Sequence, residues 1–399
     1  MRVFLYMAVL FIFFSCDSDD SVSSNVVSND FDRIYVTLQG TDKVAIVNAS
    51  NLEVIEQIDV VLDMMNGDMG GNMDGDMDGS MMSMNTPHYV ALDEENGYWF
   101  ISAIMSNKIA MYSIDTNELI DQISVNEDPA ILEINTSSKT LYSSRMMVMD
   151  MGGMNMGSTA NSIDAISYDE NGMTLSQSYD SQAPTPHGIS LSDDGIKIVT
   201  ASNSSDFLSI INTISGIATT VSLDPDINDA DPTLVLNRLK PLEVVQKGIY
   251  AFVSCTGGEW QNINTGTYED VNGQVQVWNT ETLQKVATYE FNLDSRPWHI
   301  DYYEDKIYVV LSGSSSGAGA GVACLSFDGS SFLEEWTATN SDFNTLHGIT
   351  ISSDGQYIYV SGRGDGNLYK LDAQSGNLLN NINLVSTGMS RTGGIAITQ

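Results

Sequence analysis

The 399-residue chain has four histidines, and every one of them opens a candidate strand. Pro87-His88-Tyr89-Val90, Pro186-His187-Gly188-Ile189 and Leu346-His347-Gly348-Ile349 share one register. Pro297-Trp298-His299-Ile300 carries its histidine one residue later. Imidazole is the commonest metal ligand and the side chain best suited to proton transfer near neutral pH. A set confined to one kind of site therefore reads as a candidate metal set: His88, His187, His347 and His299. Strand alternation alone turns His299 to the face opposite the other three.

Methionine supplies a second donor type. The chain has 20, and fourteen fall in two short tracts. The first, within residues 63–86, contains four tandem x-Gly-x-Met units and includes Met77, Met81, Met82 and Met84. The second, within residues 146–160, includes Met149, Met151, Met154 and Met156. Both are too rich in glycine to be stripes of a helix. Thioether sulfur suits Cu(I), and imidazole suits copper in either oxidation state, so the two tracts with the four histidines point to copper. The competing reading is a low-complexity insertion that binds nothing. A further metal reading comes from Asp74, Asp76 and Asp78, which alternate ahead of Gly79 as in the start of a calcium loop. The twelfth position is Asn85 rather than a bidentate glutamate, which weakens it.

The remaining composition excludes more than it proposes. With 52 acidic against 16 basic residues the net charge is −36, which disfavours nucleic acid and adsorption to anionic lipid. There is no CxxC, no GxSxG and no Walker loop. Cys255 and Cys324 could pair in an oxidising compartment, Cys255 is a conceivable soft ligand, and Cys324 reads as packing. Arg363-Gly364-Asp365 spells an adhesion tripeptide, read here as coincidence within a turn.

The elements that position these residues repeat. From Asp32 the chain cycles through four short alternating segments separated by Gly, Asp, Asn or Ser, with copies at 88–125, 129–181, 187–224, 241–291, 297–340 and 347–386. Four antiparallel strands joined by tight turns make one propeller blade. Residues 32–58 supply three strands without a first, and Gly393 to Gln399 supply a first strand without the rest. Pairing them closes an all-β, seven-bladed propeller over residues 31–399 and hides both edges. In such a blade the starts of first strands, the loops between second and third strands, and the connections between blades share one face. The histidines therefore ring the channel mouth, and both Met tracts fall on the same side. The loops at 225–240 and 259–273, with Glu259, Trp260 and Tyr268, project there as well.

Phrases such as Ile34-Tyr35-Val36-Thr37 and Pro186-His187-Gly188-Ile189 resemble the YVTN class of seven-bladed propellers, in the superfamily of the nitrous oxide reductase N-terminal domain. The resemblance covers nearly all of residues 32–399. It implies the fold and leaves activity open, because such propellers include copper enzymes, dehydrogenase subunits, lactonases and surface proteins. Nitrous oxide reductase uses more histidines and a cupredoxin domain, so its reaction is not expected here. At the N-terminus, a charged start and the apolar run Val3 to Ser15 read as a signal peptide of residues 1–15. Phe14-Ser15-Cys16 resembles a bacterial lipobox, which implies lipidation of Cys16. Residues 16–30 then form a flexible acidic tether, and the lipid is the membrane anchor.

The expectation is an extracytoplasmic, monomeric lipoprotein, on the outer membrane or cell surface rather than the inner membrane. It would bind copper for handling or redox. The alternatives are a non-catalytic surface interaction or ligand-binding propeller that holds a protein partner or glycan with its top loops, and a lactonase-like hydrolase.

Overall fold

The computed structural model describes residues 31–62, 85–145, 149–150, 155–156, 161–224, 237–262, 265–314, 317–385 and 391–399. Asp32–Gln399 form one compact unit of seven four-stranded antiparallel sheets, and no helix occurs among the described residues. None is therefore long and apolar enough to cross a membrane. The expected seven-bladed propeller is the observed fold.

Blade 1 is the composite one: Thr392–Ile397 lies innermost, followed by Arg33–Leu38, Lys43–Asn48 and Val54–Asp59. Ile34 pairs with Ile397 and Val36 with Ile395, so the two ends of the propeller share one sheet. The other inner strands are Pro87–Asp93, Pro129–Asn135, Pro186–Leu191, Pro241–Lys247, Pro297–Tyr303 and Leu346–Ile351, in blades 2 to 7. Alternation of apolar and polar residues places one side of each sheet against each neighbouring blade. The described core accordingly separates into seven clusters, one per seam between blades. Outermost strands such as Val54–Asp59 and Leu378–Asn383 are largely exposed, as expected where one face meets water.

Each inner strand begins with the same irregularity. The residue before it has positive φ in blades 2 to 7: Thr86, Asp128, Thr185, Lys240, Arg296 and Thr345. None is glycine, and each such conformation costs on the order of 1 kcal/mol or more. Carboxylates and amides of the preceding blade hold several in place. Asp42 accepts from the Thr86 N–H at 2.8 Å, Asn107 from the Asp128 N–H at 2.8 Å, and Asp206 from the Lys240 N–H at 2.9 Å. Immediately afterwards all seven inner strands carry a register shift against their second strands. A bulge of this kind adds one residue, bends the strand and re-aims side chains.

A bulge also leaves backbone groups without ladder partners, and buried hydroxyls take them up. Ser102, near the end of blade 2's second strand, accepts from the Tyr89 N–H (3.1 Å) and donates to the Ala130 carbonyl of blade 3 (2.5 Å). Ser254 does the same between Glu243 and Trp298 (3.2 and 2.5 Å), and Ser361 between Gly348 and Gly393 (2.8 and 2.7 Å). Each hydroxyl ties the bulge of one blade to the bulge of the next. Ser361 ties blade 7 to the closing strand. Replacing it (Ser361→Ala) strands a buried N–H and a buried carbonyl, and should lower unfolding free energy by about 1–3 kcal/mol in denaturant titrations. A change below about 0.5 kcal/mol would show that the clasp contributes little.

Candidate functional site

The bulges decide where the histidines go. His88, His187 and His347 occupy the first position after the strand's opening residue, and His299 the second. All four side chains are buried, at 1–4% exposure, so they form an inner layer of the channel rather than an open rim. Their rings form a closed circuit, with centroids 6.0 Å apart for His88 and His187, 6.5 Å for His187 and His299, 4.8 Å for His299 and His347, and 5.8 Å for His347 and His88. Simple alternation predicts His299 on the opposite face. The structure instead places it in the shortest ring contact of the circuit, because the register shift between Pro297 and Ile300 breaks the alternation. Glycine keeps the layer narrow. A Cβ on Gly188 would lie 2.7 Å from the Leu242 carbonyl, and one on Gly348 would lie 2.8 Å from the Gly393 carbonyl.

Each imidazole has one buried ring nitrogen without a hydrogen-bond partner: Nε2 of His88, His187 and His299, and Nδ1 of His347. The opposite nitrogen of three rings is held. His187 Nδ1 lies 2.9 Å from the Leu242 carbonyl and must donate to it. His299 Nδ1 lies 2.6 Å from the Glu243 carboxylate, again as donor. Neutral His187 thus keeps a lone pair on Nε2, the tautomer a metal ligand needs, and the Glu243–His299 pair has the carboxylate–imidazole form that orients ligands. His88 differs: its Nδ1 lies 2.6 Å from the Gln39 amide nitrogen, while the Gln39 carbonyl oxygen accepts from Arg363 at 2.7 Å. Burial pushes the pKa of His88 and His347 well below the usual histidine value and that of His187 down to about 4, so these rings are neutral at pH 7. Among the described residues, no group of three or more His, Cys, Asp or Glu side chains is placed to hold a metal ion.

Other candidates separate by position. Cys16, Asp74, Asp76, Asp78, Met77, Met81, Met82, Met84, Met151 and Met154 lie outside the described residues. The backbones of Met149–Asp150 and Asn155–Met156 pair as a short hairpin. The residues flanking both tracts sit at the histidine end of their blades: Asn85 and Thr86 lead into Pro87, and Arg145 pairs with Pro129. Cys255 and Cys324 are free, buried in separate seams, and form no disulfide; burial raises both thiols. Arg363 and Asp365 are engaged internally, with Gln39 and Tyr369, which removes the adhesion tripeptide. In the 258–271 hairpin, Trp260 packs on the blade 4–5 seam and Tyr268 is exposed.

Gln39, Glu243 and Arg363 are partners that the histidine pattern did not reveal. Glu243 was findable, since it occupies the same second position in blade 5 as His299 does in blade 6. It also lines the central channel, a cavity of about 490 Å³ running from Tyr89 to Gln399 between the inner strands. Glu133 and Asp301 line it too. Burial first, and then the proximity of Glu243, raises both of their carboxyls to about 7, against backbone N–H groups that hold them down.

No family model matches the chain, and no curated protein does. Solved structures do. The chain is similar to the Pseudomonas aeruginosa periplasmic gluconolactonase PpgL, with 12% identity and a TM-score of 0.60, covering 92% of this chain and 99% of that one. It is similar to a putative 6-phosphogluconolactonase of Bacteroides fragilis, with 11% identity, a TM-score of 0.59 and coverage of 93% and 99%. Hydrazine synthase of Kuenenia stuttgartiensis matches with 14% identity, a TM-score of 0.55 and coverage of 76% and 80%. At these identities the likeness is one of fold: a seven-bladed propeller.

The channel carboxyls set a pH dependence. Acids whose folded-state pKa is raised contribute stability that is full below the ordinary carboxyl range, about 4, and lost as pH rises through about 7. Metal-free protein should therefore show a higher Tm at about pH 6 than at about pH 8. Glu133→Gln should reduce that difference; an unchanged difference would place the linkage elsewhere.

Proposed function

We propose that this protein is an extracytoplasmic propeller that binds copper at its buried imidazole layer, for copper capture and delivery or for redox. One observation carries the reading: four neutral or carboxylate-paired imidazoles share one buried layer, each with a ring nitrogen that has no partner. Buried polar atoms are ordinarily satisfied, and four orphans in one place are the signature of a ligand site. The donor type fits copper, because imidazole suits it in either oxidation state. With nitrogen–metal bonds of about 2.0–2.1 Å, two imidazoles on one ion have ring centres about 4.5–6.5 Å apart, and neighbouring rings of the circuit lie 4.8–6.5 Å apart. Two neighbouring imidazoles would hold the ion, and every such pair includes His187 or His347. Bound copper would add affinity for small ligands and one-electron chemistry. The protein's own contribution is to fix two ring tautomers through Leu242 and Glu243 and to keep bulk water from the layer.

The two methionine tracts support copper over zinc, because soft thioethers favour Cu(I) and their anchor points lie at the histidine end. Lipidation at Cys16 would tether the propeller to the outer membrane or cell surface, where such a tract meets extracellular metal. A second reading, hydrolysis of a lactone, is favoured by the full-length likeness to two gluconolactonases. A protein partner seated on the top face without metal is the third.

Anaerobic loading of the full-length protein with Cu(I), followed by desalting and metal analysis, tests the first reading. Wild type should retain about one copper per chain more than a His187→Ala/His347→Ala variant whose circular dichroism shows a folded propeller. Equal retention by both, or none by either, defeats it. Turnover of gluconolactones by the copper-free protein would favour the second reading instead.

A further inference from the structure

Seven equivalent residues lead the chain into the inner strands: Thr86, Asp128, Thr185, Lys240, Arg296, Thr345 and Arg391. Three are cationic and one is acidic, in a chain with 16 basic against 52 acidic residues, so this set runs against the sign of the whole. A fourth cation, Arg363, directly follows the second strand of blade 7. Lys240 has Asp206 and Glu259 close enough to act on its charge, and its Nζ donates to the Glu259 carbonyl at 2.9 Å. Arg296, Arg363 and Arg391 form no ion pair among the described residues. Arg363 matters most. It is partly buried, and its side chain donates to the neutral Gln39 carbonyl, 2.7 Å from Nη1, rather than to a carboxylate. Burial, and then the charge of Arg391, push its pKa down to about 10, so it remains a cation at pH 7. Its field reaches His88 and His347 and helps to lower the pKa of both. A guanidinium offers five N–H donors, and a desolvated charge without a counter-ion is costly.

The neighbouring rings supply further donors. Arg363 has only donors to offer, so the Gln39 atom it meets is the oxygen. The other end of the amide is then an NH2 group, and His88 Nδ1, at 2.6 Å, must accept from it. A neutral imidazole that accepts at Nδ1 carries its proton on Nε2, and that nitrogen is buried without a partner. Trp298 takes the histidine position of blade 6, and its Nε1–H, always a donor, is likewise buried without a partner. Both rings neighbour His347, with centroids 5.8 Å from it for His88 and 5.9 Å for Trp298.

We propose that this arc of the channel mouth, at blades 6, 7 and 1, binds a small oxyanion, a carboxylate or phosphate, with Arg363 as its counter-ion and the N–H groups of Trp298 and His88 as donors. The site needs no metal and stands apart from the copper reading. Oxyanion chemistry fits because a guanidinium fork matches two oxygens at once, and charge-assisted hydrogen bonds would satisfy donors otherwise left empty. Small size follows from the net charge of −36, since a polyanion would be repelled by the rest of the surface. A small ion at the mouth feels mainly the charges within about 8 Å, the screening length at physiological salt.

Isothermal titration calorimetry of metal-free protein, at an ionic strength held constant with chloride, tests this with acetate and inorganic phosphate as separate probes. At least one should bind saturably at about one per chain, and the tighter of the two identifies the class. Arg363→Gln should weaken that binding about 10–100-fold, the range of a hydrogen bond to a charged group. Arg363→Lys keeps the charge without the fork and should lose less. Trp298→Phe keeps an aromatic ring but removes the N–H, and should weaken binding about 5–10-fold. Should Arg363→Gln fail to fold, the wild type still decides. In nitrogen-15 NMR its Trp298 indole N–H signal, the one lost in Trp298→Phe, should shift saturably with the same anion. No saturable binding of either anion, equal binding by Arg363→Gln, or a Trp298 signal that does not move would overturn the site. None of these results bears on copper retention, and protein that retains no copper leaves this site standing.

Discussion

The bulge at the start of every inner strand is the constraint on which this propeller turns. A regular strand would send successive side chains to alternate faces and would leave its first residues fully paired. Here the chain enters through a left-handed residue, gains one unpaired residue, and must satisfy the freed N–H and carbonyl elsewhere. The buried hydroxyls of Ser102, Ser254 and Ser361 do so by bridging to the next blade. In blade 4 the corresponding second-strand residue is Ala201, and His187 makes the link to the Leu242 carbonyl instead. One candidate ligand is thus also a structural clasp. Removing its imidazole disturbs the seam between blades 4 and 5 as well as the site.

The seams and the channel answer to different physics. Between blades, apolar side chains interdigitate over the whole radius, and the separate clusters mean that each seam is a core of its own. Along the axis the inner strands converge, so contacts there are between backbones and small residues. Gly188 and Gly348 permit this approach where any Cβ would meet a neighbouring carbonyl. The convergence brings side chains from blades 2, 4, 6 and 7 within ring contact although they are distant in sequence. It also brings Glu243 close enough to Glu133 and Asp301 to add to the burial that raises their carboxyls.

How much of this the sequence disclosed follows from the range of each interaction. Strand alternation and turn residues are local, so seven blades and the composite first blade were legible, as was the clustering of histidines at strand starts. The orientation of His299 was not, because period-two alternation assumes a regular strand and the bulge inserts a residue without changing the local composition. The partners of the rings were hidden for another reason. Gln39 is 49 residues from His88, Arg363 is 324 from Gln39, and Glu243 is 56 from His299. Only the closed ring of blades makes them neighbours. Of the methionine tracts, the described residues show the flanks and the Met149–Met156 pairing.

The energetics of the histidine layer argue against a purely structural role. Burying four imidazoles with an unpaired nitrogen each costs free energy, and hydrocarbon side chains of similar volume would pack the same space without that cost. The seven equivalent first positions show that the fold does not demand histidine: Ala130, Leu242, Trp298 and Gly393 serve in blades 3, 5, 6 and 1. Long-range polar contacts hold one nitrogen of His88, His187 and His299, a refinement that packing alone does not require. Such fixing matters when the ring must present a lone pair or a proton in a chosen direction. With the Glu243 carboxylate behind His299 and the Arg363 guanidinium behind Gln39 on the His88 side, the layer is electrically polar from one side to the other.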